Sequence, residues 1–356
     1  MKHNLHKAIA ATAASLAVLA LFPMQNTVTG PAAPLTASAT LLSSTVTVKV
    51  NSSVTLTFTL NNEDNTCQLT KSQITKAGSI FEIPDTVTKD GKVYTVTSIG
   101  PNAFRGNTNL RRISGGAKHI TRIESGAFMG CSNLLDVYLF NGTYPDGNLK
   151  GTVEYIGDSA FKDCTSLLDS HFLQSAKYIG AWAFWGSGIP SVFIRDPYSI
   201  GEAAFYNCTN ISSITIEGSH LKSLPDFAFY NCKNAGSIKL NKSLKEIGKS
   251  AFANCDKVET LSLPASVKKI DTGAFMECDK LREVITVNVD VIKDHAFFNC
   301  PSMIRFRSSY KDTALGKYSL GYTYTNKLEQ NPGFCIKAPK GGAVEVYANT
   351  NGFPIA

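Results

Sequence analysis

Apolar residues return along this chain at a period of about 23 residues. The dipeptide Ala-Phe recurs at Ala103-Phe104, Ala127-Phe128, Ala160-Phe161, Ala183-Phe184, Ala204-Phe205, Ala228-Phe229, Ala251-Phe252, Ala274-Phe275 and Ala296-Phe297. Successive Phe positions are separated by 24, 33, 23, 21, 24, 23, 23 and 22 residues. An aliphatic stands four residues before each Ala: Ile99, Ile123, Ile156, Ile179, Ile200, Leu224, Ile247, Ile270 and Ile292. Three residues after the Phe there is Cys in seven units (Cys131, Cys164, Cys208, Cys232, Cys255, Cys278, Cys300), with Asn107 and Ser187 in the other two. Another aliphatic follows, such as Leu110, Leu134, Leu167, Val258 or Leu281, and then a strand-like alternation such as Ile214-Thr215-Ile216 or Leu261-Ser262-Leu263. Each unit has too few apolar side chains for a core of its own. Stacked in register, the units share one core and pair their short strands into a parallel sheet, with right-handed connections. The pattern predicts Phe and aliphatic columns inside the stack.

The nine units occupy residues 96–308, between a cap at 40–95 and another at 309–356. The N-terminal cap is Thr/Val-rich and alternates at Thr45-Val46-Thr47-Val48-Lys49-Val50 and from Val54 to Leu60, which predicts a β-hairpin and then a degenerate repeat around Ile83-Pro84. The C-terminal cap reads as a strand at Phe334-Cys335-Ile336, a turn and a short helix from Ala343 to Asn349. The 33-residue spacing holds about ten extra residues in Phe140 to Thr152, where Asn141-Gly142 and Pro145-Asp146-Gly147 are turn signals. A loop there is expected to protrude beside Tyr138 and His171.

At these residues the chain resembles a known family. The pattern Ile-Gly-x-x-Ala-Phe-x-x-Cys-x-x-Leu-x-x-Ile-x-Leu resembles the BspA-like (treponemal-type) leucine-rich repeat. The stretch Ile247-Gly248-Lys249-Ser250-Ala251-Phe252-Ala253-Asn254-Cys255 fits it at every defined position. The resemblance runs from about residue 80 to residue 356. It implies a leucine-rich-repeat solenoid of short parallel β-strands with loops and short 3-10 turns. It also implies a bacterial secreted or cell-surface module, adhesin-like, that contacts host matrix or cell-surface proteins.

The N-terminus points to export. Met1 to Lys7 is short and basic, Ala8 to Phe22 is apolar, and Ala37-Ser38-Ala39 is a small-residue site. Residues 1–39 read as a signal peptide cleaved after Ala39. Its apolar run is short for a membrane span, and no Cys follows it closely to carry a lipid anchor. The formal net charge is +7, and no Lys/Arg block stands out as a nucleic-acid footprint.

Nine cysteines in an exported chain would ordinarily suggest disulfides. Seven of them share one repeat position, so their Cβ vectors run parallel in an inward column, which suits buried free thiols and not disulfide geometry. No Cys-x-x-Cys pair supports a zinc site. Histidines His119, His171, His220 and His295 fall at unrelated phases of the repeat, and no phosphate loop, nucleophile elbow or His-Glu-x-x-His stands in the chain. The sequence therefore predicts no catalytic site, no cofactor and no metal.

Binding is expected on solvent-facing positions of adjacent repeats. The outward residue of the strand-like stretch is, in order, Ser114, Tyr138, His171, Phe193, Thr215, Lys239, Ser262, Ile285 and Arg307. Tyr138, His171 and Phe193 are consecutive and aromatic, with Asp136 and Asp169 one column over. They read either as anchors for a protein ligand or as simple cross-strand packing. A second column follows the repeated Phe and holds Trp185, Tyr206 and Tyr230, with Trp182 beside it. It reads as a glycan- or protein-binding strip or as the outer cover of the core. The first reading of function is adhesin-like attachment to a protein. The second is a spacer or a glycan- or partner-targeting module.

Overall fold

The computed structural model describes residues 44–116, 118–143 and 149–356, which belong to the compact unit Ser43–Ala356. The expected signal peptide and the Pro145-Asp146-Gly147 turn lie outside the described residues.

Each repeat except the third contributes two short strands. The first carries the recurring aliphatic. Arg122–Ile123, Tyr155–Ile156, Tyr178–Ile179 and Ser199–Ile200 pair in parallel, and Ser223–Leu224, Glu246–Ile247, Lys269–Ile270, Val291–Ile292 and Ala314–Leu315 form a second parallel run. The second strand is the alternating stretch. It builds three short parallel sheets: Ser79–Ile83 with Leu110–Gly116 and Asp136–Val137, then Ser191–Ile194 with Ser213–Ile216 and Ser237–Lys239, and last Thr260–Ser262 through Glu283–Thr286 and Arg305–Ser308 to Cys335–Lys337. The predicted outward column is in register where these strands pair: Phe193 faces Thr215 and then Lys239, and Ile285 faces Arg307.

Between the two strands the chain turns through Ala-Phe, and here the backbone does something the apolar pattern does not show. Two residues per repeat sit at positive φ. One precedes the Ala, from Asn102 (55°) to His295 (58°), and one lies two past the Phe, from Gly106 (68°) to Asn299 (57°). This geometry aims N–H groups along the stack: the Phe104 amide donates to the Ala127 carbonyl at 2.8 Å, and Phe229 to Ala251 at 2.7 Å. The Phe rings lie one on another with centroids 4.9–5.3 Å apart from Phe104 to Phe297, within 10° of parallel. All nine are essentially fully buried.

The Cys column closes the same turn. Each of its seven thiols donates to the carbonyl of the Phe in the preceding repeat, from 2.8 Å (Cys208 to Phe184) to 3.5 Å (Cys255 to Phe229). A carbonyl in a dry turn needs such a donor, and Cys supplies one with little polar surface. All nine cysteines are free, and only Cys335 is not buried. Burial pushes Cys131 and Cys208 up to about 12 and Cys67 to about 11. Glycine after the recurring aliphatic has a different cause. A Cβ on Gly157 would stand 2.5 Å from the Ser125 amide nitrogen, and one on Gly248 would stand 2.6 Å from the Pro225 carbonyl carbon. At these glycines the repeats stack too closely for any side chain, whereas Glu124, Pro225, Asp271 and Lys293 hold the same position in other repeats.

The caps follow the expected plan with more strands. Strand β1 (Thr45–Lys49), β2 (Val54–Asn61) and β3 (Thr66–Ile74) form an antiparallel meander where a hairpin was predicted. Strand β4 (Ser79–Ile83) is the degenerate repeat. Strands β5 (Thr86–Lys89) and β6 (Lys92–Ile99) form a hairpin, and β6 joins the meander to the first recurring-aliphatic strand. At the other end helix α1 (Ala343–Thr350) buries Val344 and Ala348.

Two measurements test this account. In native protein Ellman's reagent should titrate at most Cys335, and in denaturant all nine cysteines should react; several fast-reacting thiols in the native state would refute the buried column. Gly157→Ala should lower stability by about 1–3 kcal/mol through overpacking, read as a shift of the urea midpoint. An unchanged midpoint would show that the close approach is not what requires glycine.

Candidate functional site

On the second-strand face, Asp136 and Tyr138 extend from the strand of repeat two. Asp136 is buried, with Oδ2 2.7 Å from Arg112 Nε on the neighbouring strand, and the Tyr138 hydroxyl bonds to its carboxylate. The Arg112 guanidinium also lies 5.8 Å from the Tyr138 ring centre. Burial lifts the Asp136 carboxyl above its usual range. Arg112 opposes that lift, the Asp169 charge adds to it, and Tyr138 lowers it. Asp136 is thus the buried support that orients Tyr138 and Arg112, not the solvent-facing acid that its column position suggested.

His171 departs further from expectation. It opens a 3-10 helix, His171–Ser175, rather than sitting in a strand. The reason lies in Phe172 and Leu173, adjacent apolar residues that a strand would point to opposite faces. The helical turn buries both, and the Phe172 ring packs 5.0 Å from Phe161, into the Phe column. Asp169 shapes the entry: its Oδ1 accepts the His171 amide at 2.8 Å and also contacts His171 Nδ1. Ser170 Oγ then donates to the Ser191 carbonyl at 2.9 Å, a side-chain bond at a step where paired strands would use backbone. Tyr138, His171 and Phe193 therefore belong to adjoining repeats but not to one continuous sheet. Phe193 is half-buried under the Arg195 guanidinium, 5.0 Å from its ring centre.

The same face holds a residue that the aromatic pattern passed over. Leu168 is 62% exposed, its amide bonded to the Leu135 carbonyl at 2.9 Å. With half-buried Leu135 and exposed Pro190 it makes an apolar column beside Tyr138 and Phe193. The sequence signal was available, because Leu135 and Leu168 each follow an inward leucine directly. The extra residues form a two-stranded hairpin, Phe140–Thr143 with Leu149–Gly151, and the Leu149–Gly151 strand packs on the 3-10 helix.

The second candidate column has a different geometry. Trp185, Tyr206 and Tyr230 stack on one another at 4.0 and 4.7 Å, and Lys162 Nζ lies 5.3 Å from the Trp185 ring centre. Their faces cover each other, which leaves no open ring face between neighbours. Burial pushes the Tyr206 hydroxyl up to about 12, with Tyr230 adding to the rise. Trp182 and neighbouring Phe227 instead occupy the positive-φ position, at 55° and 57°. The other repeats place Asn, Gly, Ser, Ala or His there, and a bulky side chain in this region costs about 1–3 kcal/mol.

A third set, on the first-strand face, was not anticipated. Tyr178 and Tyr198 stack at 5.6 Å, Tyr198 meets the His220 ring at 4.3 Å, and the Arg122 guanidinium lies 4.0 Å over Tyr155. Asp196 secures His220 through Nδ1 at 2.8 Å. Burial raises the Asp196 carboxyl, but bonds from the Ser219 amide, then from the His220 ring and amide, bring it below its usual value. Tyrosine directly before the recurring Ile, at Tyr155 and Tyr178, was the legible signal.

Among the described residues no group of three or more His, Cys, Asp or Glu is placed to hold a metal, and no helix is long and apolar enough to cross a membrane. The geometry offers shallow polar and aromatic faces, suited to contact rather than to chemistry that excludes water.

Six copies of the BspA type leucine rich repeat region match the chain, over residues 81–145, 140–220 and 198–327. Similar solved structures include a leucine-rich repeat protein from Bacteroides ovatus, 20% identical over 80% of this chain and 81% of that one, with TM-score 0.47. A leucine rich cell surface protein from Faecalibacterium prausnitzii is 21% identical over 74% of this chain and 95% of that one, TM-score 0.32. The pneumococcal vaccine antigen PcpA is 18% identical over 87% and 98%, TM-score 0.38. No curated protein matches the sequence. The matched repeats cover well over half of the chain and coincide with the stacked units of the structure: this chain belongs to the BspA-type leucine-rich-repeat family.

Proposed function

We propose that this protein is an exported, adhesin-like attachment module that binds a protein partner through the second-strand face of repeats two to four. The observation that carries the reading is the exposed Leu168 beside Pro190, Tyr138 and Phe193. An apolar and aromatic patch of this kind, rimmed by Arg112, Asp169, His171 and Arg195, has the make-up of a protein interface: a desolvated centre and a polar edge. The Arg112–Asp136 pair supports it by holding Tyr138 in place, so that little side-chain freedom is lost on binding. The basic, apolar and small-residue segments of residues 1–39 support secretion, and host matrix or cell-surface proteins are the partner class.

Residues 40–356 should bind at least one of a panel of immobilised matrix proteins. Leu168→Glu and Tyr138→Ala, checked for an unchanged melting temperature, should each weaken that binding by about tenfold or more. Binding that survives both substitutions, or no binding to any protein of the panel, would sink this assignment.

A further inference from the structure

Among the described residues the exposed aromatics are Tyr178 (44%), Trp182 (42%) and Tyr198 (46%), all on two successive repeats. They are not on the face assigned above. Tyr178 and Tyr198 stand on the first-strand side and Trp182 on the turn that follows it, with Gly180, Ala181 and Gly201 between them. That intervening strip is nearly bare backbone, because stacking forbids a side chain at Gly180 and Gly201. Flat rings therefore flank a floor that a flat ligand can approach closely.

Carboxylates accompany the rings. Glu202 follows Gly201, and its backbone carbonyl accepts the Trp182 amide at 2.9 Å, so the two residues are neighbours across adjacent repeats. Its carboxylate has no hydrogen bond or ion pair among the described residues, and burial with the nearby Asp226 charge raises it above its usual range. Asp158 uses Oδ1 to accept the Ala181 amide at 2.8 Å. The neighbouring cations do not pair with Glu202: Lys177 reaches the Asp196 carbonyl at 3.1 Å and lies 5.7 Å from the Tyr198 ring centre, and Lys222 reaches the Ser219 carbonyl at 2.7 Å.

We propose that this face binds a neutral glycan. Pyranose rings would pack on the exposed Trp182 ring and along the outer edges of the stacked Tyr178 and Tyr198, and sugar hydroxyls would donate to Glu202 and Asp158. The chemistry selects this occupant in three ways. The Glu202 carboxylate, without an ion pair among the described residues, accepts hydroxyl donors and repels sulfated or sialylated chains. The exposed apolar groups here are aromatic alone, without the aliphatic partner that Leu168 gives the protein-binding face. Trp182, like Phe227, keeps a large ring at a positive-φ position where the other seven repeats use Asn, Gly, Ser, Ala or His, strain that exposed surface packing does not need.

The test is titration of the mature chain with neutral glucose, mannose and galactose hexasaccharides, and with heparan sulfate and sialyllactose, followed by tryptophan fluorescence and calorimetry. At least one neutral hexasaccharide should bind. The double variant Tyr178→Ala/Tyr198→Ala should weaken it by roughly three- to tenfold, and Glu202→Gln by about tenfold or more. Leu168→Glu should leave glycan binding unchanged, so failure of the protein-binding assignment is distinguishable from failure of this one. Binding of anionic glycans only, no binding of any neutral probe, or neutral binding that either first-strand variant leaves intact overturns the proposal. So does a protein ligand that the double variant loses in place of a sugar.

Discussion

Everything in this fold depends on one constraint: each repeat must satisfy the backbone of its neighbour within a spacing of about 4.8 Å. The strands do so in the ordinary parallel way. The Ala-Phe turn does so through two positive-φ residues per repeat, which point N–H groups along the stack toward the next repeat's carbonyls. Given that spacing, the Phe rings can only stack nearly parallel, a Cβ after the recurring aliphatic has no room at Gly157, Gly180, Gly201 or Gly248, and the thiol three residues past the Phe meets the preceding carbonyl. Phe, Gly and Cys recur because of one distance.

The same constraint explains how the chain keeps nine unpaired thiols. Neighbouring cysteines of the column point the same way, not at each other, and each has a carbonyl partner already. Burial raises Cys131, Cys164, Cys208, Cys232 and Cys255 far above the range in which thiolate forms. An oxidising compartment therefore has no accessible nucleophile in the column to act on.

Side chains that face solvent carry none of these duties, and there the repeats differ. One sheet face gathers aliphatic and aromatic groups around Leu168 and Tyr138. The first-strand side of repeats four and five gathers tyrosines and Trp182 above bare backbone. At the turn, Trp182 and Phe227 hold a conformation that suits Asn and Gly better. A repeat scaffold is permissive enough for two separate contact surfaces, since each draws on only a few adjacent units.

Sequence by itself determined the fold, because a period enforced by stacking is written into every unit: the Ala-Phe spacing, the inward aliphatic and Cys columns, and the register that sets Phe193 beside Thr215 all follow from it. The C-terminal helix was legible as well, within a residue. Tertiary structure alone decided what happens where the period breaks. Phe172 entering the Phe column turned His171 out of the expected strand, and Arg112 across the strand pair converted Asp136 from a surface acid into a buried support. It also decided whether rings show faces or edges, since Trp185, Tyr206 and Tyr230 use their faces on each other, whereas Trp182 stays 42% exposed. The physical reason is that periodicity fixes which way a side chain points, and only its neighbours in space fix what remains uncovered.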